Sequence, residues 1–289
     1  MSTPTSLDLP AGVRRTTVSC ERGTFAALEA FPQAGACELG TALLVPGYTG
    51  SKEDFIAILG QLAAAGRRVV AVDQRGQHQT AGPDDPDAYD PRELGADITA
   101  LFEATKGTHL LGHSFGGLVA REAVLGGCSP ASLTLLSSGP AALSGPRAEE
   151  LHFILSYLDG TPATALHAKV AEIWNAVLKP EAVAACVAHP VMAFLEERML
   201  ANNPTGLVTM ATHLFKAEDR TAELAARGIP TFVLYGEEDN AWPTAQQRDM
   251  AERLGAERTC IPGAAHNPNV EAPASTALAL TKFWNAAES

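Results

Sequence analysis

From Thr41 onward the chain alternates between two hydrophobic rhythms. Short runs of apolar and β-branched residues, Thr41 to Val45, Arg68 to Val72, Thr108 to Leu111, Leu133 to Ser137, Pro230 to Tyr235 and Glu257 to Ile261, predict strands. Between them, apolar residues three and four apart predict helices over Glu53 to Ala65, Arg92 to Thr105, Phe115 to Leu125, Thr244 to Leu254 and Ala274 to Ala286. These six strands and two earlier runs, Thr16 to Cys20 and Thr24 to Phe31, make eight. Strand and helix in alternation mean an α/β fold: a mainly parallel eight-stranded sheet covered on both faces by helices, since each parallel crossover needs a long connection.

The alternation lapses once, between the sixth and seventh strands, where Gly139 to about His213 contains no strand-like run. Leu166, Val170, Ile173, Trp174 and Val177 recur at helical spacing there, as do Val191, Phe194, Leu195 and Met199 after Pro190. The chain therefore divides into a core domain of residues 1–139 and 214–289 and a helical cap of residues 140–213. Most apolar positions of the cap should pack on one another and on the sheet domain. Ligands of open α/β sheets sit at the carboxyl ends of the strands, so Phe153, Tyr157, Trp174, Met192 and Met199 are candidates for the roof of a pocket.

Candidate chemistry begins at Gly112-His113-Ser114-Phe115-Gly116, between a predicted strand and a predicted helix. Glycines on both sides of a serine permit a bend that holds the hydroxyl clear of the backbone. A serine hydroxyl is a poor nucleophile at neutral pH and needs a general base, itself oriented by a carboxylate. His266 tops a loop after the last strand, and Asp239 follows the seventh strand in Gly236-Glu237-Glu238-Asp239. Glu237 and Glu238 compete for the acid role but read as solvated. His113, inside the bend, reads as structural, whereas His213 and Trp242 could touch substrate.

Five segments together resemble a cap-bearing α/β-hydrolase, and the likeness spans nearly the whole chain. Besides the serine turn, Gly236 to Pro243 is similar to that family's G-x-x-D-x-x-x-P, and His266 to Pro273 to its H-x-x-x-x-E-x-P. Leu43 to Gly47 resembles the strand that ends in the oxyanion loop, with Pro46-Gly47 where the family usually has His-Gly. Asp73 to Thr80 resembles the D-x-R-G-x-G-x-S turn, with His78 in place of a glycine and Thr80 in place of a serine. The order Ser114, Asp239, His266 is the order of that family. The resemblance implies a catalytic triad of these residues and an oxyanion hole made by the backbone N–H groups of Phe115 and Tyr48.

A serine nucleophile, where halide- and epoxide-processing relatives carry aspartate, directs the chemistry to carbonyl carbon. The expectation is a cofactor-free carboxylesterase acting on a small to medium, largely apolar acyl substrate. Thioester or lactone hydrolysis, carbon–carbon cleavage, a lyase, a perhydrolase and a receptor with little turnover are the alternatives. The eight histidines form no H-x-H or H-E-x-x-H pattern, so no metal is expected. A net charge of -12 without a basic stripe argues against nucleic acid. No run of about 18 apolar residues is present to span a bilayer, and the N-terminus lacks a signal peptide's apolar region, so a cytoplasmic location is expected. Cys20, Cys37, Cys128, Cys186 and Cys260 are scattered, and Cys20 and Cys260, in strand-like runs, read as small buried hydrophobes.

Overall fold

A computed structural model describes residues 2–32, 39–158 and 160–289. Its eight strands, β1 (Val13–Cys20), β2 (Gly23–Ala30), β3 (Thr41–Val45), β4 (Arg68–Val72), β5 (Gly107–His113), β6 (Ser132–Leu136), β7 (Thr231–Gly236) and β8 (Glu257–Ile261), form one sheet in the order β1-β2-β4-β3-β5-β6-β7-β8. β2 pairs antiparallel with both β1 and β4, and every pair from β4 to β8 is parallel.

Successive strand residues point to opposite faces, so each central strand feeds two apolar layers. Leu43, Leu110 and Val233 face the layer completed by Ile98, Val119 and Met250, and Leu44, Leu111 and Leu234 face the layer completed by Leu59, Leu280 and Trp284. The covering helices are α1 (Ile56–Ala64), α2 (Pro91–Thr105) and α3 (Phe115–Leu125), with α10 (Thr244–Leu254), the one-turn α11 (Pro268–Glu271) and α12 (Pro273–Ala287) near the C-terminus. Local rules set their ends. The Asp90 side chain accepts from Arg92 N–H ahead of Pro91, and Gly255, at φ 61°, terminates α10 in the left-handed region. α1 begins later than the pattern predicts, because Lys52–Phe55 winds as a 3₁₀ turn. Its charges are turned inward: Lys52 Nζ lies 2.7 Å from Asp73 Oδ2 and 3.1 Å from Glu53 Oε1, all three residues being buried.

Between β6 and β7 the chain is helical: α4 (Arg147–Leu158), α5 (Ala163–Ile173), a π turn (Trp174–Leu178), α6 (Lys179–Ala184), α7 (His189–Ala201), α8 (Pro204–Lys216) and α9 (Thr221–Ala225). Val170, Trp174, Leu195, Met199 and Leu207 give this insertion an apolar core of its own. Leu143 N–H, ahead of α4, donates to Leu214 O in α8 at 2.8 Å. A buried ion pair, Arg198 to Asp54 at 2.7 Å, joins α7 to the core.

No helix among the described residues is long and apolar enough to cross a membrane. Of the cysteines, Cys37 lies outside the described residues, Cys128 is buried, Cys20 is half-buried and Cys186 is exposed. Cys260 is also exposed, contrary to the reading from its strand-like run. β8 is the edge of the sheet, and most of its side chains face solvent.

Candidate active site

Ser114 stands between the end of β5 and the start of α3, at φ 54° and ψ -121°. Such a conformation costs a residue with a side chain about 1–3 kcal/mol, so its surroundings must enforce it. They do so by crowding. A Cβ on Gly112 would overlap the Gly116 carbonyl, one on Gly116 would overlap the carbonyls of Val45 and Pro46, and Ser114 N–H is held by Leu136 O at 2.9 Å. Only glycines at these two flanks let helix, strand and neighbouring loop approach so closely.

His266 Nε2 lies 3.0 Å from Ser114 Oγ, and His266 Nδ1 lies 2.9 Å from Asp239 Oδ1. With Asp239 ionised, Nδ1–H donates to the carboxylate and Nε2 is left to accept the serine proton. Burial pushes the Asp239 carboxyl up, but hydrogen bonds from His266, from Ala241 N–H at 3.0 Å and from Gln247 Nε2 at 2.9 Å outweigh it, and the group sits below the usual carboxylate range. Glu237 and Glu238 are exposed on the same loop. Glu271, the acid of the H-x-x-x-x-E segment, accepts from Ala265 N–H and from Asn267 N–H, clamping the backbone on either side of His266. His113 Nε2–H donates to His266 O at 2.9 Å; burial, with His266 beside it, pushes its pKa down to about 3, so the ring is a neutral support.

The loop after β3 crosses directly over the nucleophile. A Cβ on Gly47 would come 3.0 Å from Ser114 Cβ. Two buried glutamines from the turn after β4 fix this loop: Gln74 Nε2 donates to Pro46 O at 2.8 Å, and Gln77 Nε2 to Gly47 O at 2.9 Å. They orient the peptide whose N–H belongs to Tyr48. The second candidate donor, Phe115 N–H, opens α3 and has no carbonyl partner within the helix. In the same turn Thr80 Oγ1 donates to Asp73 O at 3.1 Å and accepts from Ala26 N–H at 2.9 Å, while His78, standing where the family has glycine, is held at φ 40°.

A cavity of about 340 Å³ opens onto Ser114 and His266. Gly47, Tyr48 and Thr49 line it from the core, Leu151 and Ile154 from α4, and Val177 and Leu178 from the π turn.

A family model described as the alpha/beta hydrolase family matches residues 42–279. The chain belongs to that family. Among its relatives, the proline iminopeptidase of Levilactobacillus brevis is 26% identical over 275 residues, covering 85% of this chain and 88% of the relative. A proline iminopeptidase of Lactobacillus helveticus is 30% identical over 129 residues, 43% of this chain and 44% of the relative. In fold, this hydrolase is similar to the enol-lactonase of Burkholderia xenovorans LB400, with a TM-score of 0.70 at 18% identity over 93% of this chain and 100% of the other. It is likewise similar to a thermophilic esterase of Thermogutta terrifontis, with a TM-score of 0.68 at 20% identity over 96% and 100% of the two chains.

The residues read from the sequence as pocket candidates of this hydrolase fall in different places. Phe153 and Met199 stand on the cavity wall, with Phe153 at the mouth and 64% exposed. Trp174 does not reach the cavity: its side chain fills the core of the insertion, and the π turn that it opens brings Val177 and Leu178 to the wall instead. Met192 packs against that same apolar core. Tyr157 lies on the outer face of α4, donating to Glu172 Oε2 at 2.8 Å with Lys169 Nζ 4.4 Å from its ring centroid. His213 is half-buried on α8, where burial lowers its pKa, and it does not line the cavity. Trp242 is fully buried beneath the acid loop, its Nε1–H donating to Ala141 O at 3.0 Å and to Ala142 O at 3.2 Å. Gln74, Gln77 and Gln247 were not singled out by the sequence.

Among the described residues, one buried cluster, Glu53, Asp73 and His78, brings three groups of metal-ligating type within 4.8 Å of one another. The Lys52 ammonium already sits against both carboxylates there and supplies the positive charge.

Proposed function

We propose that this α/β hydrolase is a serine hydrolase that cleaves a carboxylic ester of a small to medium acyl substrate through an acyl-enzyme. The observation that carries the reading is the continuous hydrogen-bonded path from Asp239 through His266 to Ser114, ending at the floor of the cavity. His266 takes the Ser114 proton as Oγ attacks the carbonyl carbon, and Asp239 stabilises the imidazolium that results. The negative charge that develops on the carbonyl oxygen is met by Phe115 N–H and Tyr48 N–H, donors fixed before substrate arrives. His266 then protonates the departing alcohol and draws a proton from water, which releases the acid. Residues 140–213 act as the cap, closing the acyl side of the site from solvent.

A 4-nitrophenyl ester series from acetate to decanoate, run beside active-site labelling with a fluorophosphonate, tests this. Wild type should turn over the shorter esters and label stoichiometrically, and Ser114→Ala should lose both, with a fall in turnover of about 10⁴-fold or more. Ester turnover persisting in a folded Ser114→Ala protein would remove the reading.

The same path could open an amide, and the proline iminopeptidase match over 85% of the chain favours that second reading. L-Proline 4-nitroanilide cleaved faster than any ester in the series would establish it over the first.

A further inference from the structure

We propose that Arg147 anchors a carboxylate on the far end of the substrate, so that the preferred ester is one whose acyl chain ends in an anionic group. The inference rests on the esterase reading above and names the substrate class for it.

Nearly all the inward-facing arginines have obvious partners. Arg22 and Arg75 share Asp97, Arg121 and Arg220 share Glu122, Arg67 reaches Glu288, Arg68 reaches Glu29 and Arg198 takes Asp54. Among the described buried or half-buried arginines, Arg147 alone has no side-chain hydrogen bond or ion pair. A guanidinium that gives up part of its hydration without a partner is unfavourable, and a ligand carboxylate is the group that fits its two-pronged donor geometry.

Its position is fixed relative to the chemistry. Arg147 N–H donates to the carbonyl of Asn240, the residue after Asp239, at 3.1 Å, and Arg147 lines the cavity that holds Ser114 and His266, with its charge near enough to act on His113. The fold gains nothing from the charge. Arg147 is the first residue of α4, where the helix dipole disfavours a cation, and Glu149 and Glu150 already supply the favoured sign in that turn. Glu150 and Glu181 on the same wall are exposed and keep their hydration, and neither pairs with Arg147. A chain of net charge -12 repels an anion at long range, so an anionic substrate needs a local cation at the site itself.

Mono-4-nitrophenyl adipate and 4-nitrophenyl hexanoate have acyl chains of equal length, one ending in carboxylate and the other in methyl. Wild type should favour the adipate ester in kcat/KM. Arg147→Gln should lower the adipate-to-hexanoate ratio about 10- to 100-fold, chiefly through KM for the adipate ester, as loss of a charge-assisted hydrogen bond implies, and Arg147→Lys should restore part of it. An unchanged ratio, or an equal fall for both esters, would overturn the proposal. Calorimetric binding of monomethyl adipate separates this outcome from failure of the esterase reading. Ser114→Ala should bind it at least tenfold more tightly than Ser114→Ala/Arg147→Gln. If wild type hydrolyses neither ester and that difference persists, the esterase reading fails and the anchor stands; equal or undetectable binding removes the anchor.

Discussion

The loops that carry Ser114, Asp239 and His266 and the helices that wall the cavity are built on different physics. In the loops the three side chains and the backbone beside them are held by hydrogen bonds with a defined direction: Gln247 on Asp239, Glu271 on the backbone around His266, His113 on the His266 carbonyl, Gln74 and Gln77 on the loop after β3. The cavity walls contributed by the insertion are mostly side-chain packing, with Leu151, Ile154, Val177 and Leu178 toward the opening and Trp174 and Leu195 behind. Directional bonds fix a reacting atom to a fraction of an ångström, whereas packing fixes only volume. A substitution in the loops should therefore change rates, and one in the walls should change preferences.

The largest expected effect breaks the acid's contact. Asp239→Asn presents the wrong partner to His266 Nδ1–H and should lower kcat about 10⁴-fold, while Glu237→Gln and Glu238→Gln, on the same loop but exposed, should change kcat less than about twofold. Steady-state kinetics of the three variants checks this, and similar losses at Glu238 and Asp239 would mean that the acid is shared. Next comes the support behind the acid. Gln247→Leu removes a donor to Asp239 Oδ2 and should lower kcat about tenfold and stability by about 1–3 kcal/mol, read by kinetics and chemical unfolding.

His113 sharpens the contrast through pH. Its folded pKa, about 3, is far below the ordinary 6.5, so the unfolded chain takes up a proton that the native state refuses. The stability it contributes is fully present well above pH 6.5 and is lost as pH falls through 6.5 toward 3, at up to about 1.4 kcal/mol per unit. The stability difference between wild type and His113→Asn should therefore shrink by about 1.6 kcal/mol between pH 6.5 and pH 5; a difference that stays constant would mean that the native protein takes up the proton as readily as the unfolded chain. The smallest effect belongs to the walls. Phe153→Ala, at the cavity mouth, should shift relative kcat/KM between butyrate and decanoate esters by a few-fold, with little change for acetate.

The same difference governs how much could be read from the sequence. The strands and the principal core helices were legible, because alternating and helical apolar spacing are local signals, and three of the strands, β3, β4 and β8, have the limits that the spacing predicts. Ser114, His266 and Asp239 were legible because each sits in a turn whose glycines and prolines mark it. Gln74, Gln77 and Gln247 were not: a glutamine's role lies wholly in a partner 28, 30 or 8 residues away in the chain. The cap candidates were separable only in part. Helical spacing identifies an apolar face but not what that face meets, and the π turn at Trp174–Leu178 shifts the phase, turning Trp174 inward and Val177 toward the cavity. Cys260 was misread because spacing identifies a strand but not whether it is the last in its sheet.

The hydrogen bond between Leu143 and Leu214 brings the chain before α4 back against the chain within α8. The chain between these two residues therefore leaves and rejoins the fold at nearly one point, and its length is not set by the distance it must span. Lengthening or exchanging that chain alters the closure entropy only logarithmically, by about 0.6 kcal/mol for each doubling. Any exchange of that chain would have to carry along its ties to the core, among them the buried pair Arg198 and Asp54 and the hydrogen bonds of Asn202 and Asn203 to the turn after β4.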